Sequence, residues 1–377
     1  MILTIIIRRL TFAPLRTSFT VLAIASVLSV VLVLEGFREG IYQQIRTIVI
    51  SLGADVIVSQ SGISNMIASR SVLPQLSRKD IESIEGVIDA HPITTLPVIY
   101  TENGRSMPVY IIVYDTLGSP TQLEKGRSIQ NAKEIIIDDS IASEYGIKPY
   151  DKFSVSDFTF TVSGISKNTA AFFMPFAFVK YDDFIDLYFE SDIVGDLSTL
   201  PLLSFLLLKV KPDYPLEKIM ADIESGVPAA DAWLPEQLAE NDVDMSRTML
   251  GPVFGLMISI SYVICVLVIS LIMFSSTQIR KYELAVFKSM GFTLLRMGVS
   301  MLLEVLVILI LALPFAFLIS YVSAWFIQEM APVYLLQVVS PGPVIRTIIS
   351  ALVFSFFGCF LSFIFIARLD PVLAFRN

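Results

Sequence analysis

Few residues in this chain are equipped for covalent chemistry. His91 is the single histidine among 377 residues and sits beside Pro92. No nucleophile-elbow sequence accompanies it, so a Ser-His-Asp arrangement finds no support. The carboxylate pairs Asp138-Asp139 and Asp182-Asp183 read as helix starts, where negative charge meets the helix dipole, rather than as metal ligands. Cys265 and Cys359 lie inside long uncharged runs, which excludes a disulfide framework and a zinc site. The chain has no Gly-Lys dipeptide, so a G-x-x-x-x-G-K-[ST] phosphate loop is impossible. The expectation is a chain with no catalytic residue, no metal and no cofactor of its own.

The residues that carry more information are suited to docking. Ser276 to Gly291, STQIRKYELAVFKSMG, stands between two long uncharged runs. Leu284, Phe287 and Met290 recur at helical spacing, with Gly291 as a C-terminal stop. Three basic residues alone would satisfy topology; the apolar stripe and Glu283 are what topology does not require. The segment reads as a short amphipathic handle on which a cytoplasmic partner docks. Its candidate residues are Arg280, Lys281, Glu283, Leu284, Phe287, Lys288, Met290 and Gly291. Glu304, about two turns after Arg296, enters an apolar run and is a further candidate for contact with this segment. The alternative is an interfacial carboxylate that snorkels to water.

These residues are positioned by membrane spans. The chain is 54% hydrophobic and only 16% charged, with a mean hydropathy of +0.72; a soluble domain carries about a quarter charged residues. Four runs account for the excess: Thr17 to Leu34, Thr248 to Ile279, Met297 to Gln328 (interrupted by Glu304) and Thr347 to Ala367. Each is long enough to cross a bilayer. Ten Lys or Arg lie outside the large loop from Arg38 to Arg247, and nine of them share the side of both termini, which places both termini in the cytoplasm. The loop, outside the cell's inner (plasma) membrane, holds 17 basic and 30 acidic residues. Nothing points to nucleic acid.

The fold class expected is an α-helical membrane protein with four transmembrane helices, plus a mixed α+β extracytoplasmic domain on helical stalks between the first and second spans. By residue, 1–16 reads as an interfacial amphipathic helix, not a cleaved signal. Residues 17–49 read as span one and its stalk, 50–234 as the outer domain, and 235–279 as the return stalk and span two. Residues 280–296 form the coupling segment, 297–328 span three, 329–346 an outer loop, 347–367 span four and 368–377 a cytoplasmic tail. Within the outer domain, a helix over Ser77 to Ile84 is expected to start on Ser77 as N-cap. Glu102-Asn103-Gly104-Arg105 is a hairpin signal, and Leu203 to Trp233 reads as a β-α-β unit. The segment Thr169 to Phe178 has two readings. Either Phe172, Phe173 and Phe176 form an exposed aromatic rim that meets a greasy substrate or partner, or they belong to a buried strand.

In the spans, Glu35 and Glu329 are expected at the outer membrane surface, and Pro314 is expected to kink span three. Ser355, Gly358 and Ser362 share one face of span four, suited to close packing, including packing across a dimer axis.

Taken together, these residues resemble the MacB/FtsX-like family of ABC transporter permeases. The sharpest matches are Arg280-Lys281-Tyr282-Glu283-Leu284-Ala285-Val286-Phe287-Lys288-Ser289-Met290-Gly291 and the tail Arg368-Leu369-Asp370-Pro371-Val372-Leu373-Ala374-Phe375-Arg376, which adds Arg368 and Asp370 as coupling candidates. Leu34 to Tyr42 followed by Leu52 to Val56 is similar to the DevC-like branch. The resemblance implies mechanotransmission: a cytoplasmic ABC ATPase subunit binds ATP and Mg on its own chain and moves the coupling helix. It further implies a homodimer or a paralogous permease, and a periplasmic membrane-fusion adaptor. The cargo it favours for export or extraction is hydrophobic or lipid-like. The competing reading is an FtsX-like regulator that transmits the same motion to a cell-wall hydrolase or sensor kinase without transport.

Overall fold

The computed structural model describes residues 12, 14–67, 69, 71–102, 104–120, 122–155, 158–184 and 203–368. The chain opens with helix α1 (Pro14–Ser51), strand β1 (Val56–Gln60) and helix α2 (Gln75–Glu82), followed by β2 (Val87–Glu102), β3 (Arg105–Tyr114), β4 (Leu123–Gly126) and β5 (Glu134–Asp138). Then come α3 (Asp139–Tyr145), β6 (Lys152–Val155), β7 (Phe158–Ser166), β8 (Ala170–Ala171), β9 (Met174–Lys180) and β10 (Phe205–Val210). The remainder is α4 (Leu216–Gly226), β11 (Ala230–Trp233), α5 (Pro235–Ile279), α6 (Lys281–Ser289), α7 (Leu294–Met330) and α8 (Pro341–Arg368). Two compact units result, residues 1–39, 252–327 and 336–377 in one and residues 40–251 and 328–335 in the other.

The first unit is a helical bundle. α1, α5, α7 and α8 are each long and apolar enough to cross a membrane. Lipid tails are as apolar as leucine, so what holds such helices together is close packing. Ala312, Ala316, Ser320 and Ala324 repeat every fourth residue along one buried face of α7. A Cβ on Gly358 would lie 2.5 Å from Ile269 Cγ2, so α8 meets α5 where only hydrogen fits. Ser355 and Ser362 are buried too. The small-residue face of span four is therefore used inside this chain, which corrects the expectation of a dimer axis there. Cys265 and Cys359 both belong to the bundle's core. Pro314 lies within a helix that runs unbroken from Leu294 to Met330, and the proline at 252 lies likewise inside α5.

The interfacial helix expected over 1–16 falls mostly outside the described residues; Pro14 to Arg16 already form the first turn of α1. α1 and α5 are single helices of 38 and 45 residues. The stripe of Ile41, Ile45 and Ile48 beyond Leu34 is buried and keeps α1 helical past its most apolar stretch.

The second unit is built on one mixed sheet in the order β11-β1-β10-β2-β3-β9-β5-β7-β4, with β6 on β7 and β8 on β9. Its sequence alternates where one face is wet: Phe158, Phe160 and Val162 of β7 point inward, Thr159 and Thr161 outward. β5, covered on both faces, has all five residues buried. One core gathers α2 and α4 against β1, β2 and β10; the other gathers α3 against β3, β5, β7 and β9. The β2–β3 hairpin pairs Glu102 with Arg105, and Gly104 between them has φ +77°.

One local expectation changes. α2 starts at Gln75 behind Pro74, with no side-chain cap, so Ser77 lies inside the helix and does not cap it. The β10-α4-β11 unit forms as expected, its two strands running the same way on either side of β1, which pairs antiparallel with both.

Candidate coupling site at one end of the helical bundle

α6 is a nine-residue helix between α5 and α7. Glu283 in its first turn and Lys288 in its last match the helix dipole. Gly291 ends the segment at φ +87°, and the Phe292 N–H reaches back to the Phe287 carbonyl at 3.1 Å, a closing bond that favours glycine between them.

The structure divides the eight candidate residues between two faces. Leu284 is buried with Met297, Met301 and Ile366, and Phe287 packs against that cluster. Lys288 Nζ donates to the Ile366 and Ala367 carbonyls at 3.4 and 3.1 Å, so it caps the end of α8. Arg280, 9% exposed, turns into the bundle. Its Nη1 donates to Glu304 Oε2 at 2.9 Å, its Nη2 to Ser276 Oγ at 2.9 Å and its Nε to the Ser276 carbonyl at 3.1 Å. Arg280, Leu284, Phe287 and Lys288 thus seat the helix. Lys281, Glu283, Met290 and Gly291 are exposed, together with Tyr282 and Val286. The spacing of Leu284, Phe287 and Met290 suggested one apolar stripe; Met290 leaves it because α6 ends before its last turn closes on the bundle.

Glu304 is brought to the coupling segment by Arg280, and both side chains are nearly buried. Arg368, exposed, is the last residue of α8, and Asp370 lies outside the described residues. Ser276 was not singled out from sequence; its place four residues before Arg280, one helical turn, is the signal that could have found it.

A second cluster lies elsewhere in the bundle. Glu35 is 1% exposed, enclosed by side chains of three helices. It accepts from Arg38 Nη2 at 2.5 Å, Arg346 Nε at 2.7 Å and the Tyr262 hydroxyl at 3.0 Å. Arg346 Nη2 also donates to Glu39 at 2.9 Å. The signal was available: Arg346 is the one basic residue of the ten outside the large loop that breaks the charge bias, and a cation there needs a partner.

The aromatic segment of the sheet domain combines its two readings. Phe176 is buried and stacks on Tyr110 at 5.6 Å, so it is core and not a contact residue. Phe172 and Phe173 form the turn between β8 and β9 with φ of +50° and +66°, a conformation bulky residues rarely adopt. Phe173 is 41% exposed and sits edge-on to Tyr334 at 5.8 Å. The hairpin's base is tied by Asp138, which accepts from Thr169 N and Oγ1 at 2.8 and 2.7 Å. Beside it, burial and the Asp138 charge push the Asp139 carboxyl up to about 7. Among the described residues no group of three or more His, Cys, Asp or Glu could hold a metal ion.

Four apolar helices, with a mixed-sheet domain inserted between the first and second, define a multi-pass membrane protein with a large extramembrane domain. The chain matches the model of the MacB-like periplasmic core domain over residues 17–225 and that of the FtsX-like permease C-terminal region over residues 255–371. It belongs to the MacB/FtsX-like family of ABC transporter permeases. An uncharacterized ABC transporter permease of Mycobacterium tuberculosis, found in strains CDC 1551 and H37Rv, is 21% identical over 364 residues, covering 96% of this chain and 95% of that one. Among solved structures, the periplasmic region of MacB from Actinobacillus actinomycetemcomitans aligns with a TM-score of 0.36 at 11% identity, over 50% of this chain and 92% of that one. The extracellular domain of the noncanonic ABC-type transporter YknZ from Gram-positive bacteria aligns with a TM-score of 0.35 at 9% identity, over 48% and 100%.

Proposed function

We propose that this permease couples ATP hydrolysis by a separate ATPase to movement of its sheet domain, and that α6 is the surface on which the ATPase docks. The observation that carries this reading is the two-faced build of α6. One face is fixed by Leu284, Arg280 and Lys288 to α5, α7 and α8, while Lys281, Tyr282, Glu283, Val286 and Met290 stand exposed. A helix gripped on one side and open on the other passes on a push instead of absorbing it. The positive-inside bias puts α6 and both termini in the cytoplasm and the sheet domain outside. The working unit is two permeases with two ATPases, each ATPase holding ATP and Mg; closed twofold symmetry makes a homodimer the default. An apolar or lipid-type cargo, handled with a periplasmic adaptor, is part of the same reading.

The test is to purify the protein from its native membrane and identify the chains that come with it. Glu283→Arg and Met290→Asp are expected to lose the ATPase, whereas Leu284→Ala keeps it but loses permease-stimulated ATP turnover. Undiminished ATPase binding in both surface variants would remove α6 as the docking site. Co-purification of a hydrolase or kinase in place of an adaptor would favour regulation over transport.

A further inference from the structure

A cavity of about 690 Å³ opens among the first turns of α1, the last turns of α5 and the middle of α7. Its size lies within the range of small-ligand pockets, about 300–1,000 Å³. The walls are chiefly apolar: Leu15 and Phe19 from α1, Leu271 from α5 and Ile308 from α7. Phe19 and Leu271 are 66% and 68% exposed, so the mouth faces the side where lipid chains lie. The nearly buried Arg280–Glu304 ion pair and the exposed Arg16 also line it.

The charges decide the occupant. Glu304 and Arg280 neutralise each other, and the three bonds from Arg280 go to Glu304 and Ser276. Arg16, exposed in the first turn of α1, therefore leaves the lining with one net positive charge. An apolar trough with a single exposed cationic group complements an amphiphile with one negative charge. We propose that the cavity binds an anionic phospholipid from the leaflet on the α6 side, its phosphodiester at Arg16 and an acyl chain along Phe19, Leu271 and Ile308. Such a lipid holds α1 against α5 and α7 next to the Arg280–Glu304 pair and excludes water from it. This site is separate from the ATPase-docking face and does not depend on it.

Native mass spectrometry tests this after reconstitution of the full chain into nanodiscs of equal phosphatidylglycerol and phosphatidylcholine. The wild type is expected to retain phosphatidylglycerol about fivefold over phosphatidylcholine, the preference one arginine supplies at a membrane surface. Arg16→Gln should bring the ratio to about one. Arg296→Gln, which alters an exposed arginine outside the cavity lining, should leave the ratio unchanged. Ala23→Trp, which fills the cavity without changing charge, should remove retained lipid of both kinds. Equal loss of preference in Arg16→Gln and Arg296→Gln would reduce the effect to general surface attraction and overturn the proposal. Ala23→Cys cross-linking to residues 1–11 or to a second copy, with no lipid retained, would assign the cavity to protein and overturn it too.

Discussion

The bundle holds two buried ionic clusters, and they differ in how their arginines are compensated. Arg280 and Glu304 form an ion pair whose side chains are 10% and 6% exposed. Among the described residues, Arg280 bonds one carboxylate, Glu304, and otherwise Ser276. Glu35, equally buried, is shared by Arg38, Arg346 and Tyr262, and Arg346 has Glu39 as an alternative. An arginine that loses its one carboxylate is left uncompensated, whereas one with a second carboxylate in reach keeps part of its compensation. Arg280 therefore depends on Glu304 more than Arg346 depends on Glu35.

Thermal unfolding in detergent can break this comparison. Glu304→Leu strands Arg280 and should cost about 3–5 kcal/mol; the double variant Arg280→Met/Glu304→Leu should recover most of that loss. No recovery would mean that Glu304 serves packing and not the pair. Glu35→Leu is expected to cost less, about 2 kcal/mol, because Arg346 keeps Glu39 and its guanidinium is partly exposed. Arg346→Gln should cost about 1 kcal/mol, since Glu35 retains Arg38 and Tyr262. If Glu35→Leu matched Glu304→Leu, the contrast between one carboxylate and two would be wrong.

The smallest effects sharpen the comparison outside the bundle, in the sheet domain. Glu134 there is another shared carboxylate, taking bonds from Arg127, Gln130 and Asn131. Although burial opposes ionisation, those bonds hold it down at about 2. The unfolded state binds the proton first, so this stability is full above the ordinary value of about 4.5 and drains as pH falls toward 2. Asp139 has the reverse sign. Its carboxyl is raised to about 7, so its contribution is full below the ordinary value near 3.8 and lost as pH rises through 7. Denaturant midpoints across pH should show Glu134→Gln losing its penalty only in acid. Asp139→Asn should be more stable than wild type at pH 8 and equal to it near pH 3.

The contrast between the clusters also marks what was legible in the sequence. Glu304 stood out because it was the one charge in a long apolar run, and Arg280 lay 24 residues away across a single helical return. Glu35 closed a run, where a carboxylate costs little, and its partner Arg346 lies 311 residues further on. The four helices and most strands follow from hydrophobic period and turn residues, which are local. β1 wedged between β10 and β11 is not local, because register between distant strands leaves no mark on either one. The aromatic run shows the same limit within ten residues: alternation marks Phe176 and Phe178 as strand, but nothing in the letters turns the chain at Phe172 and Phe173. Small residues on span four announced a close approach without saying whose backbone would approach.

One strand joins the two halves of the sheet domain. β2 gives Val87 to Ile93 to β10 and Ile93 to Glu102 to β3. The two ladders meet at Ile93, which is fully enclosed. Parting the two cores within the sheet therefore means unzipping the β2–β10 or the β2–β3 ladder.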